Sequence, residues 1–169
     1  MLSLFYSRID SPVGSLVIGV SDQGLAIIEF DRGELPKNRL AQSAHWQESP
    51  ARTELVVHEL REYFDGKRRE FAVPLDLHGT DFQKKCWKAL LKIPYGKTRT
   101  YADIARAVGS PQGFRAVGMA NHDNPIPIVV PCHRVLASDG TLGGYGGGLD
   151  VKRKLLELEG ALQPKLIRD

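Results

Sequence analysis

The spacing of apolar residues changes period at Gly79, and no single sheet or helix bundle suits both sides of that point. Upstream, Leu4 to Ile9, Leu16 to Val20 and Leu25 to Phe30 are apolar runs separated by the turn residues of Asp10-Ser11-Pro12-Val13-Gly14 and Ser21-Asp22-Gln23-Gly24. That arrangement predicts a β-meander. The polar stretch Asp31 to Ser49 has no period and reads as loop. Val56, Leu60, Tyr63 and Phe64 then recur at helical spacing, and Gly66 sits where a helix ends. Downstream, Thr80 with Gln83 and Thr100 with Asp103 have the spacing of capping boxes. Phe82, Cys86, Leu90 and Ile93 would share a face of one helix. Tyr101, Ile104, Ala105 and Val108 belong to a second, stopped by Gly109, and a third is expected from Gly113 to about Asn121. The last two, joined across Ser110-Pro111-Gln112, have a helix-turn-helix outline. The expected fold is α/β in the broad sense (α+β), with a β-rich domain at 1–78 and a mainly helical domain at 79–169.

Charge divides at the same place. Residues 1–78 hold 9 Lys/Arg against 12 Asp/Glu, a net −3, and residues 79–169 hold 14 against 8, a net +6. A positive half suits an anionic partner such as a phosphate backbone, although so modest a charge also suits an ordinary solvated surface. Within the third helix, Gly113, Ala116, Gly118 and Ala120 surround Arg115. Such a helix is poorly equipped to read base edges by hydrogen bonding, but it can lie close to a groove floor or to another helix. No apolar run approaches the ~20 residues of a membrane span, and the chain start lacks the features of a secretory signal. Two cysteines form neither a disulfide framework nor a multi-cysteine zinc site, so a cytoplasmic protein without a membrane partner is expected.

Chemistry concentrates in Asn124-Pro125-Ile126-Pro127-Ile128-Val129-Val130-Pro131-Cys132-His133-Arg134-Val135. Ile128 to Val130 reads as a short strand, fenced by prolines, that delivers a cysteine and a histidine. An ordinary thiol is only a few per cent ionised at neutral pH, and His133 could raise the reactive fraction. On an extended chain the two side chains face opposite ways, so a bridging water between them is compatible. Cys86, on the apolar stripe, reads as core. His45, His58 and His78 share no metal-ligand spacing, and no metal is expected. The run Gly143-Gly144-Tyr145-Gly146-Gly147-Gly148 matches neither a dinucleotide fingerprint nor a phosphate loop. It is either a flexible loop or bare backbone approaching a planar ligand, with Tyr145 packed over it. Asp150 would cap a final helix ending near Glu159, a carboxylate that is either solvated or placed to orient a histidine.

Together, Ile93-Pro94-Tyr95-Gly96, Arg115-Ala116-Val117-Gly118, Asn124-Pro125, Pro131-Cys132-His133-Arg134-Val135 and Gly147-Gly148-Leu149 closely resemble the O6-alkylguanine-DNA alkyltransferase family, the methylated-DNA–protein-cysteine methyltransferases. The resemblance implies an RNase H-like N-terminal domain and a C-terminal domain that binds alkylated duplex DNA through the minor groove. It implies direct-reversal repair, each chain acting once and without a cofactor. In the implied mechanism a flipped O6-alkylguanine, and in some members O4-alkylthymine, gives its alkyl group irreversibly to Cys132. By the same resemblance His133 is the water-linked base, Glu159 its orienter, Tyr101 a donor to the departing base and Asn124 a hinge. Arg115 is the finger that fills the vacated stack, on a helix contacting DNA through Gly113, Phe114, Ala116 and Gly118. Val135, Tyr145, Gly146 and Gly147 would line the base pocket. A monomer is expected, with cooperative assembly on DNA left open. The rival readings are a non-catalytic lesion binder, against which the retained Cys132 argues, and a cysteine hydrolase, which leaves the basic half unexplained.

Overall fold

The computed structural model describes residues 2–31, 33 and 39–162, and the chain divides into two compact units, Met1–His78 and Gly79–Asp169. The first is built on β1 (Ser3–Ile9), β2 (Leu16–Val20) and β3 (Leu25–Phe30), successive antiparallel strands as the meander pattern predicts. A fourth strand, β4 (His45–Glu48), pairs parallel with β1 and gives the sheet order β3-β2-β1-β4. β4 and the short helix α1 (Arg39–Ser43) correct the reading of residues 31–49 as loop; residues 32 and 34–38 of that stretch lie outside the described set. The reason is local: β4 has only Trp46 half-buried, and its four residues show no alternation to read.

Helix α2 (Pro50–Phe64) packs on β1 and β2, burying Val56, Leu60 and Tyr63. Ser49 caps its N-terminus and Gly66, at φ 75°, follows its last turn. Leu4, Ala26, Ile27 and Ala41 form a separate cluster with Trp46 packed against it. Every residue of β2 is buried, which explains its unbroken apolar sequence. His58 lies 3.2 Å from a Glu62 oxygen and His78 3.0 Å from an Asp76 oxygen.

In the second unit both capping boxes are formed, at the starts of α3 (Asp81–Leu91) and α4 (Tyr101–Ala107). α3 buries Cys86, Trp87 and Leu90, while Phe82 of the expected stripe is only half-buried. The Trp87 indole N–H donates to the Ala120 carbonyl at 2.9 Å, locking α3 to α5 (Phe114–His122). α4 and α5 form the helix-turn-helix, turning at Gly109, whose φ is 76°. Two short strands, β5 (Arg99–Thr100) and β6 (Val135–Leu136), pair in parallel, so Tyr101 begins its helix beside the segment that carries Cys132. The last helix, α6 (Leu149–Leu158), starts after Gly148 without a side-chain cap. Asp150 lies inside its first turn, paired with Arg153 at 3.3 Å, which corrects its expected role as the cap. Among the described residues no helix is long and apolar enough to cross a membrane.

Candidate active site

The segment before the cysteine is a turn, and this corrects the expected strand at Ile128 to Val130. Its prolines leave few backbone donors for a ladder, and the Val130 N–H closes back on the Ile126 carbonyl at 2.9 Å. Ile128 is fully buried at φ 77°, a left-handed conformation unfavourable to a β-branched residue. Asn124 braces the turn from inside. Its amide donates to the Val130 carbonyl at 2.8 Å and its side-chain oxygen accepts from the Ile126 N–H at 2.9 Å. Cys132, His133 and Arg134 then form a single 3-10 turn, so they are not alternating residues of an extended chain.

Glu159, just past the end of α6, is buried and binds two neighbours of the cysteine at once. Its carboxylate faces His133 Nε2 at 2.7 Å and takes a two-point contact from Arg134, at 2.8 Å and 3.0 Å. Arg134 also donates to the Ile93 carbonyl at 2.6 Å. With a carboxylate so engaged, Nε2 carries the imidazole proton and Nδ1 keeps a lone pair. Nδ1 is buried and accepts no hydrogen bond from the described residues, Cys132 included. Burial holds the imidazole below its usual pKa despite the carboxylate, favouring the neutral ring.

Cys132 is 7% exposed, and burial pushes its thiol pKa up; the Asn124 side chain and the Lys152 ammonium pull the other way. Lys152 itself is fully buried on α6, donating to the carbonyls of Val135 at 2.7 Å, Gly144 at 3.1 Å and Leu142. Burial lowers its pKa from 10.5 to about 8. It ties the glycine-rich loop to the strand after the cysteine, a role the sequence reading missed. The Tyr101 phenol is also raised, chiefly by burial, and so stays protonated.

Cys132, Tyr101, Tyr145 and Gly146 line one cavity of about 100 Å³, together with Gly118, Asn121, His122 and Gly144. Val135 and Gly147, expected in this wall, are not among its lining residues; Val135 contributes its carbonyl to Lys152 instead. Gly143, at φ 69°, lies so near Tyr101 that a Cβ there would stand 2.9 Å from the phenol oxygen. On α5, Arg115 and Ala116 are exposed, with Phe114 at 47% and Met119 at 61%, while Gly113 precedes the helix as its N-cap. A separate cleft of about 970 Å³, lined by Lys85, Lys88, Lys92 and Arg99 among others, shares no residue with the Cys132 cavity. Among the described residues no cluster of His, Cys, Asp and Glu could hold a metal ion.

Known proteins resemble this chain in sequence and fold. Residues 4–77 match the family described as 6-O-methylguanine DNA methyltransferase, ribonuclease-like domain, and residues 81–161 match its DNA binding domain. A Methanosarcina barkeri methylated-DNA–protein-cysteine methyltransferase is 46% identical over 92% of this chain and 97% of its own. The crystal structure of Mycobacterium tuberculosis OGT in complex with DNA superposes with a TM-score of 0.84 at 47% identity, covering 93% of each chain. O6-methylguanine-DNA methyltransferase from Pyrococcus kodakaraensis gives a TM-score of 0.53 at 28% identity, over 95% of this chain and 99% of that one.

Proposed function

The chain belongs to the 6-O-methylguanine DNA methyltransferase family, and on that premise we propose that Cys132 is the residue that accepts the alkyl group from damaged DNA. The reaction is a direct displacement. His133 Nδ1 takes the thiol proton through a bridging water as the sulfur attacks the alkyl carbon; an S–C bond forms, and the bond from that carbon to guanine O6 breaks. The departing guanine keeps the electron pair and takes up one proton at a ring nitrogen, which balances the one removed from the thiol. Tyr101, held protonated, donates a hydrogen bond to the departing base. The thioether product has no good leaving group and Cys86 is fully buried, so each chain reacts once.

The observation that carries this reading is the line from Glu159 through His133 Nε2 at 2.7 Å to an imidazole whose other nitrogen is free to accept a proton. It has the logic of a nucleophile, a base and an orienter. Asn124 keeps the turn before Cys132 in place, acting as the hinge between α5 and the nucleophile. α5 enters the minor groove, where its small Ala116 and Gly118 allow close approach and Arg115 fills the gap left by the flipped nucleotide. Phe114 and Gly113 sit at the same end of the helix, toward the backbone. Tyr145 and Gly146 form one side of the base pocket, with Gly147 and Val135 outside its wall. The protein acts as a monomer in a reducing cytoplasm, where an unpaired acceptor thiol persists.

The test is incubation with a duplex containing O6-methylguanine, followed by intact-mass and peptide analysis. One added methyl per chain, located on Cys132 and without further turnover, is expected; repeated turnover or an unmodified Cys132 would overturn the assignment. Cys132→Ala is expected to abolish transfer while duplex binding persists.

A further inference from the structure

The Cys132 cavity contains one polar side chain that nothing so far explains. Asn121, on α5, is 8% exposed, and both its amide nitrogen and its amide oxygen are buried without a hydrogen bond among the described residues. Buried amides are nearly always bonded, and one left open on both atoms in a binding cavity is matched to something that arrives there. The same cavity is lined by Cys132 and Tyr101, so what arrives is the base whose alkyl group the thiol attacks. We propose that Asn121 reads the 2-amino edge of the flipped guanine and makes the site selective for guanine lesions. This rests on the reading of the Cys132 cavity as the lesion pocket.

The hydrogen-bonding groups of the two candidate lesions decide the match. A carboxamide presents a donor beside an acceptor. O6-alkylguanine carries an amino donor at C2 flanked by ring nitrogens with free lone pairs, because alkylation removes the N1 proton. The Asn121 oxygen accepts from the 2-amino group, and its N–H₂ donates to the adjacent ring nitrogen. O4-alkylthymine offers O2 and N3, both acceptors, and no ring donor. There the Asn121 oxygen stays buried and unpaired, a loss that discriminates more strongly than missing apolar contact does. The lost pairing is expected to slow the thymine lesion relative to the guanine lesion by roughly ten-fold.

The decisive experiment compares wild type and Asn121→Leu, which keeps the volume and removes both polar atoms. Single-turnover rates of Cys132 methylation are measured on duplexes containing O6-methylguanine or O6-methylhypoxanthine, the same lesion without the 2-amino group. Wild type is expected to react roughly ten-fold faster with the guanine lesion, and Asn121→Leu to lose roughly ten-fold more on guanine than on hypoxanthine, which keeps the ring-nitrogen acceptor but lacks the amino group. Losses that multiply, or a variant as fast as wild type on guanine, would overturn the assignment, as would a wild type indifferent to the amino group. Asn121→Ala, compared in the same way and checked by thermal melting, separates this coupling from a folding defect, which would slow both substrates alike. If wild-type Cys132 is methylated but the losses multiply, only the role of Asn121 fails. If wild type is methylated by neither duplex, the functional reading fails with it.

Discussion

Glu159 serves two buried cations or would-be cations, so removing its charge has separable effects on stability and rate. Glu159→Gln keeps the shape but removes the negative charge that compensates the buried Arg134 guanidinium, whose other partners are the Ile93 carbonyl and the Tyr95 ring, 5.8 Å from its centre. Denaturant unfolding should show a loss of about 3 kcal/mol, with transfer slowed as His133 loses its fixed tautomer. The same histidine sets the pH response. Because burial holds its pKa below 6.5, the neutral base persists as pH falls through that value. The transfer rate should therefore stay level from about pH 8 to about pH 6.5 and decline only at lower pH. A ten-fold fall per pH unit across that range would mean instead that a preformed thiolate is the reactive species. Cys132 and His133 stood out in the sequence by residue type, whereas Glu159 was joined to them only through the family resemblance. Lys152 and Asn121 did not stand out, since each sits among the apolar positions of its helix, Lys152 beside Leu155 and Leu156, Asn121 beside Ala120. A polar residue on an apolar face was the available signal.

The helices announced themselves through their caps, and both capping boxes formed as the sequence predicts. The segment at Ile126–Val130 did not, because a short apolar run between prolines fits a buried turn as well as a strand; the side-chain bonds of Asn124 decide it, and they act across the run rather than along it. Backbone conformation also limits the glycine-rich loop. In Gly143→Ala the new methyl meets the Tyr101 ring in a left-handed conformation. A cost of about 1–2 kcal/mol should appear as a melting point lower by a few degrees, with slower transfer because Tyr101 is displaced. On α5, Arg115→Ala should slow reaction with duplex by roughly ten-fold or more while changing reaction with free O6-benzylguanine by less than about two-fold, since only the duplex requires a base to be taken out of the stack. Equal losses on both substrates would reject the finger role.

At the scale of the whole chain, the net +6 of residues 79–169 pointed to the half that binds DNA, but the charges are not all on its surface. Arg134 and Lys152 are internal fasteners, and four further cations line the cleft at Lys85, Lys88, Lys92 and Arg99, leaving Arg115 as the cation of α5. Composition counts a bolt and a docking charge alike, and burial alone distinguishes them. Burial has a further effect on Cys132, the proposed acceptor. A thiol kept neutral and 7% exposed is a slow nucleophile toward whatever diffuses past, because oxidants and small electrophiles react with accessible thiolates. For a protein that can fire once, the time spent waiting matters as much as the speed of firing. The geometry that holds back the thiol in the absence of a lesion is what gives the unused chain its shelf life.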